Sequence, residues 1–200
     1  MAHLEIKNLR VHRIGPLSLS VERGECVVVS GPSGAGKTLL LRSIADLEPH
    51  EGEAILDGVR SSDVPAPEWR RKVGMLASES HWWRDTVGEH FNAVSSDDFG
   101  RLGLPPSVMG WKVNRLSTGE RQRLALLRLL SNSPRVLLLD EPTANLDPDN
   151  LGLVEDLLNE YRAQEAASVI WVSHDAAQIR RVADRHLVLQ GGVLRAGGTS

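Results

Sequence analysis

Two hundred residues with a formal charge of −3 fit a single domain, long enough to bury on the order of 70% of the surface its unfolded chain exposes. Both signs of charge are spread along the chain, which leaves no basic stripe for a nucleic-acid backbone, so no direct nucleic acid contact is expected. The opening after Met1 is polar and strand-like, without a signal-peptide core, and no run approaches the roughly 20 apolar residues of a membrane span, so the chain is expected to be cytoplasmic, with membrane contact only through a partner.

Residues 4–9 and 17–21 alternate apolar and polar and are joined through Gly15-Pro16, the pattern of a half-exposed antiparallel layer. After a turn at 22–25, the apolar run 26–30 reads as a buried strand; Cys26, the one cysteine, reads as a packing residue with no disulfide partner. Next comes Gly31-Pro32-Ser33-Gly34-Ala35-Gly36-Lys37-Thr38, which fills every fixed position of G-x-x-x-x-G-K-[ST] between that strand and the helix-like run 39–45. Glycines let such a loop turn backbone N–H groups around phosphate oxygens, and the positive end of the following helix adds to the attraction. Lys37 would reach the terminal phosphates while the Thr38 hydroxyl would ligate Mg²⁺. A loop that merely turns a strand into a helix has no need of the Lys-Thr pair.

Residues 52–58 read as a strand closed by an Asp57-Gly58 turn. Pro65 and Pro67 mark a loop before Arg70, Arg71 and Lys72, a solvated charged face ahead of a strand at 73–77. From Thr86 to about Ser133 the period becomes helical, interrupted at 103–106, which predicts a helical subdomain (about 80–133) inserted between core segments 1–79 and 134–200. Its last helix is signalled by Ser117 with Glu120 three residues on, a capping-box spacing, and by Leu124, Leu127 and Leu130 along one face; Pro134 stops it. Residues 135–139 run apolar into Asp140 and Glu141, as in a central parallel strand buried on both faces. A helix from Pro148 to about Ala167, a buried strand at 168–173 ending at His174, a short helix near 176–183 and two short apolar strands complete the chain. The expected class is α/β, a three-layer phosphate-loop core with an N-terminal antiparallel β layer and a small inserted α-helical subdomain. Ligands of such sheets gather outside the strands' carboxyl ends, where Thr38, Asp140, Glu141 and His174 all fall.

Leu116-Ser117-Thr118-Gly119-Glu120, with Arg121-Gln122-Arg123 after it and VLLLDEPTANLD at 136–147, completes a wider resemblance. Over essentially its whole length the chain resembles a nucleotide-binding subunit of the ATP-binding cassette (ABC) family, in its short single-cassette form. The likeness implies a P-loop NTPase that binds ATP and Mg²⁺ and hydrolyses ATP to drive a separate membrane permease subunit, from the cytoplasmic face of the cell membrane. Asp140 can hold Mg²⁺ or its water shell opposite Thr38; the resemblance makes Glu141 the general base and His174 the switch histidine that contacts the γ-phosphate. Ser117 and Gly119 sit at a helix N-terminus, an anion site, although the local loop already holds its own nucleotide. The family's answer is an ATP-dependent, head-to-tail homodimer in which one copy's signature closes over the other's γ-phosphate and Asp147 lines the interface.

Three positions depart from the family pattern. Ser78 stands where a glutamine usually touches Mg²⁺ and the attacking water; its hydroxyl is shorter by several bonds, so a bridging water or Glu79 has to substitute. Thr118 replaces a glycine, and no aromatic is placed to stack on adenine, leaving His12 or Arg13 as substitutes or as plain strand-end residues. Adjacent Trp82 and Trp83 cannot both enter one core, so at least one is expected to be exposed, either near the family's permease groove or packed on the short helical subdomain. That shortness fits subunits linked to metal-ion or other small-substrate export. The alternatives are an assembly module that dimerises on ATP with negligible hydrolysis, and a soluble non-transport cassette protein.

Overall fold

The computed structural model describes residues 3–91 and 94–197. β1 (Leu4–Val11) and β2 (Ile14–Val21) form the expected antiparallel pair, with Leu4, Ile6 and Leu9 turned inward. β3 (Cys26–Ser30) leads through the glycine-rich loop into α1 (Lys37–Ile44), and the chain returns as β4 (Glu51–Leu56) and β5 (Val59–Arg60). Asp57 (φ 48°) and Gly58 (φ 80°) make the tight turn between these strands, the conformation for which Asp-Gly is suited. β4 pairs with β1, closing a four-stranded sheet of order β2-β1-β4-β5.

Pro65 and Pro67 do not mark a loop: they open α2 (Ala66–Lys72), Pro65 at its N-cap and Pro67 in its first turn. A proline there forfeits only an N–H that has no helical partner. Trp69 then anchors the helix, 1% exposed, its Nε1–H donating to Ile44 O at 2.9 Å. Arg70, Arg71 and Lys72 fall in the last turn, where the helix dipole favours cations. They remain the charged outer face the sequence suggests, with Lys72 paired to Glu68 at 2.8 Å.

β6 (Val73–Leu76) follows, then α3 (Ser96–Arg101), α4 (Thr118–Leu130), β7 (Val136–Asp140), α5 (Pro148–Glu165), β8 (Ser168–Val172), α6 (Ala176–Val182), β9 (Arg185–Gln190) and β10 (Val193–Ala196). The second sheet has the order β10-β9-β3-β8-β7-β6, parallel apart from β10. Its central strands are buried on both faces, and successive residues serve different layers. Val27, Val29, Leu138 and Ile170 pack with α1 and the antiparallel sheet; Val28, Leu137, Leu139 and Trp171 pack with α4 and α5. Phe99, Leu102 and Val108 join that second cluster.

The helical stretch is less regular than its period suggests. Besides α3 and α4, the described part of 86–133 consists of 3₁₀ turns at Gly88–His90, Pro106–Gly110 and Val113–Arg115, joined by irregular chain. Pro105 and Pro106 bring no N–H to a helix, and Gly103 turns through φ 66°; residues 92 and 93 lie outside the described residues. α4 starts as predicted, with Ser117 and Glu120 capping each other reciprocally. Because β3, β8, β7 and β6 run parallel, the loop at 31–36, Glu141, Ser173-His174 and Ser78 all leave the same edge of the sheet.

Candidate nucleotide site

The glycine-rich loop is shaped by two close approaches. Gly31 lies so near Leu189 O that a Cβ would sit 2.2 Å from it, and at Gly36, the N-cap of α1 (φ 98°), a Cβ would meet Ile14 Cδ1 at 2.3 Å. Both positions therefore require glycine. The loop wraps Lys37, only 7% exposed, whose Nζ donates to Gly31 O at 2.9 Å and Pro32 O at 3.1 Å. Its ammonium has three donors; the third is left for a ligand. Ser33, Gly34, Gly36, Lys37, Thr38, Glu141 and His174 line one cleft of about 390 Å³ beside this loop, with Arg42 on its wall. Sequence reading had not singled out Arg42; its place one helical turn past Thr38 was the available signal.

Thr38 Oγ1 donates to Asp140 Oδ2 at 2.8 Å, joining the start of α1 to the end of β7. Asp140 is 3% exposed, and burial pushes its carboxyl above the usual carboxylate range, opposed by the Thr38 hydrogen bond. Glu141 is the last group on the ladder, its N–H donating to Val172 O at 3.1 Å. Its backbone adopts φ 51° just before Pro142, a left-handed conformation costing a non-glycine residue about 1–3 kcal/mol. That turn points the carboxylate at His174, and Glu141 Oε1 contacts His174 Nε2.

The signature stretch lies outside this cleft. Ser117 Oγ accepts from Glu120 N–H at 3.2 Å and donates to Glu120 Oε2 at 2.9 Å, and Ser117 and Thr118 are exposed. Gly119 rests on the loop before α5, where a Cβ would stand 3.3 Å from Leu146 Cδ2 and 3.4 Å from Asn145 O. Asp147 is the N-cap of α5, accepting from Asn150 N–H at 3.0 Å and Nδ2–H at 2.7 Å; these bonds hold its carboxyl below the usual range. Asn150 Oδ1 in turn accepts from Arg123, whose Nη1 also donates to Leu102 O at 2.7 Å, so α4 and the Asp147 loop are bonded to each other. Ser78 is exposed beyond β6, on the far side of β7 from β8, and neither it nor Glu79 has a hydrogen-bond partner among the described residues. His12 and Arg13 form the exposed β1–β2 turn. Trp83 is 67% exposed while Trp82 is half-buried, and the Arg128 guanidinium lies 4.5 Å and 4.8 Å from their ring centroids.

Residues 14–144 match the profile of the ABC transporter family. The chain belongs to that family. It is 33% identical over 187 residues to the Probable iron export ATP-binding protein FetA of Escherichia coli (strain K12), covering 87% of this chain and 83% of that protein. Protein STAR1 of Oryza sativa subsp. japonica is 36% identical over 189 residues, 88% of this chain, but the chain spans only 55% of the rice protein's length. The dimeric structure of MJ0796, a bacterial ABC transporter cassette, superposes with a TM-score of 0.82 at 25% identity, covering 96% of both chains. The molecule is thus an ABC-type ATPase cassette with a P-loop NTPase core, an ATP-binding subunit of the transporter family.

The oxygen donors of this ABC cassette fit Mg²⁺. Thr38 Oγ1 and the Asp140 carboxylate are hard ligands, and a buried carboxylate raised by desolvation is one that a nearby cation would restore to its charged form. Among the described residues no group of three or more His, Cys, Asp or Glu side chains is gathered to hold a metal by itself. Mg²⁺ characteristically takes one or two protein oxygens and completes its shell with phosphates and water.

Proposed function

We propose that this cassette hydrolyses Mg-ATP in a site completed by a second copy of the chain, and uses the closure to drive a membrane permease. The observation that carries this reading is the placement of the signature: none of residues 117–120 lines the cleft that holds Lys37, Glu141 and His174. The N-terminus of α4 is an outward-facing anion site whose one local anion is its own capping carboxylate, Glu120. Residues 31–38 cradle the phosphates, Lys37 neutralises the terminal ones, and Thr38 and Asp140 would hold Mg²⁺, which when bound would supply further charge neutralisation. Glu141 accepts the proton of the attacking water, and His174 orients it against the γ-phosphate. Ser117 and Gly119 of the second copy cover that phosphate, with Asp147 at the joint. Residues 80–133 act as the helical subdomain that carries the signature.

Mg-ATP is expected to pair two copies, and sedimentation with hydrolysis blocked tests this. Glu120 adds a sharper test, because its carboxylate occupies the signature's N-terminus where the γ-phosphate would arrive. Glu120→Gln keeps the cap but removes one negative charge facing each incoming γ-phosphate, a repulsion of about 1 kcal/mol in water, or roughly fivefold tighter ATP-dependent pairing per site. Weaker pairing, or a protein that stays monomeric with ATP, counts against the head-to-tail site.

No helix of the described residues is long and apolar enough to cross a membrane. The permease therefore meets a surface, and the groove lined by Ser80, Trp82, Arg84, Lys112, Val113 and Arg121, beside exposed Trp83, is the surface that suits it. On this reading the cassette works at the cytoplasmic face of the membrane. The relatives include a Probable iron export ATP-binding protein and a Phosphate import ATP-binding protein. The short form fits export of metal ions or another small substrate, with cargo chosen by the permease.

The exposed, unpartnered Ser78 favours a second reading, a module that pairs on ATP and turns it over slowly. Ser78→Gln restores reach toward the attacking water and is expected to raise the ATPase rate by about 3- to 10-fold, on the order of 1 kcal/mol in the barrier. An unchanged or lower rate rejects Ser78 as the brake.

A further inference from the structure

The loops bearing Glu141 and His174 are joined by one buried side chain that the sequence does not announce. Gln178, on α6 and 3% exposed, accepts through its side-chain oxygen from Ser173 Oγ at 2.8 Å. Its amide nitrogen donates to Thr143 Oγ1 and to Glu155 Oε1, both at 2.8 Å. Thr143 lies two residues past Glu141, and Ser173 immediately precedes His174. Glu155, on α5, is gripped by Arg181 through Nε at 3.0 Å and Nη2 at 2.8 Å. Ser173 Oγ also accepts from Asp175 N–H at 3.1 Å, and the Asp175 carboxylate accepts from Ala177 N–H at 2.7 Å, so the turn holding His174 is tied on both sides.

A buried primary amide is the one side chain that meets all three demands at this point: it must accept from one hydroxyl while donating to another hydroxyl and to a carboxylate. A carboxylate there would face Glu155 with like charge, and an apolar side chain would leave Thr143, Ser173 and Glu155 without this partner. Glu141 needs such support, because its left-handed backbone persists only if its surroundings over-determine it.

We propose that Gln178 is a positioning residue for ATP hydrolysis, a spacer that sets Glu141 and His174 at their working separation by holding Thr143 and Ser173. The proposal rests on the reading of Glu141 and His174 given above and deepens it. Misplacement of a reacting group by about 1 Å costs on the order of 100-fold in rate, which sets the scale of the effect.

Gln178→Met keeps the length of the side chain and removes its three hydrogen bonds. It is expected to lower kcat by about 10- to 100-fold with KM for ATP changed less than about twofold, the signature of a lost transition-state arrangement rather than lost binding. In a Glu141→Gln background the same change should lower the residual rate clearly less than it does in the unmodified protein, because one of the two groups being positioned is already absent. Hydrogen exchange read on peptides covering 141–146 and 172–176 should rise together in Gln178→Met, with the interiors of α5 and α6 unchanged. An unaltered kcat, a rise in KM that accounts for the loss, or fully multiplicative losses in the double variant overturns the proposal. Should the unmodified protein release no phosphate, it is the hydrolase reading that fails, and the exchange data decide alone: wild-type protection of both loops in Gln178→Met overturns the inference.

Discussion

Glu141→Gln is expected to lower phosphate release by about 10²- to 10⁴-fold, the usual range for removing a general base, while leaving ATP-dependent pairing intact or stronger. The side chains are nearly isosteric, so the turn at φ 51° and the ladder bond to Val172 O are preserved. What is lost is the proton acceptor at the cleft wall and the carboxylate in contact with His174. Removing a negative charge beside the triphosphate also reduces repulsion, which is why nucleotide and second copy should remain bound rather than dissociate. Single-turnover phosphate release and sedimentation with Mg-ATP, run on the same preparation, check both halves. A variant that still turns over within about tenfold of the unmodified protein removes Glu141 from the base role; one that no longer pairs with ATP present makes it a structural residue of the closed state.

The parts of this site that were legible in the sequence are those that follow a backbone rule. The loop at 31–38 was readable because two of its glycines are imposed by close approach, and Asp140 and Glu141 because four apolar residues run up to them in β7. The capping box at Ser117 was readable from spacing alone, and it forms. Errors arose where local signals had two meanings. Pro65 and Pro67 read as loop punctuation, yet proline is equally at home in the first turn of a helix, and the burial of Trp69 against Ile44 O decided for α2. The apolar spacing across 86–133 overstated helix, since Leu102, Leu104 and Val108 reach the core from turns and short pieces.

What could not be read were side-chain networks spanning distant segments. Gln178, Thr143, Ser173 and Glu155 come from four places in the chain and meet with no period to reveal them. The same holds at the rear of the sheet, where His3 Nδ1 lies 2.6 Å from Ser168 Oγ and Nε2 lies 3.6 Å from Asp57, itself paired with Arg23 and Arg135. Burial lowers the pKa of His3, so the neutral ring suits this packing. Cys26, by contrast, was placed correctly from its apolar run alone, and burial raises its thiol to about 12, which leaves it unreactive.

Lys37→Met should weaken ATP binding by about 10- to 10²-fold, the loss of one charge-assisted hydrogen bond at roughly 1.5–3 kcal/mol, its other two donors being bonded to Gly31 O and Pro32 O. Lys37 is nearly enclosed by the loop it bonds, so no neighbouring cation can take its place; Arg42, on the same cleft wall, is already committed to Glu48 and Leu47 O. The variant becomes most informative when mixed with a second one. Ser117→Arg leaves the phosphate loop intact but spoils the signature, so each variant alone should be inactive for a different reason. In a head-to-tail pair, one copy of each restores a single intact site, made from the loop of the Ser117→Arg chain and the signature of the Lys37→Met chain. Random pairing makes about half of the dimers mixed, with one working site of two, so an equal mixture should recover about a quarter of normal turnover if the sites act independently. Placing both substitutions in one chain and mixing it with unmodified protein tests the converse, since both sites of the mixed pair are then disrupted at one partner each: one lacks its lysine and the other its signature. Such pairs should be silent, leaving only the unmodified dimers, again about a quarter of the total. A mixture of the single variants no more active than either component would mean that the signature and the phosphate loop do not meet across two copies.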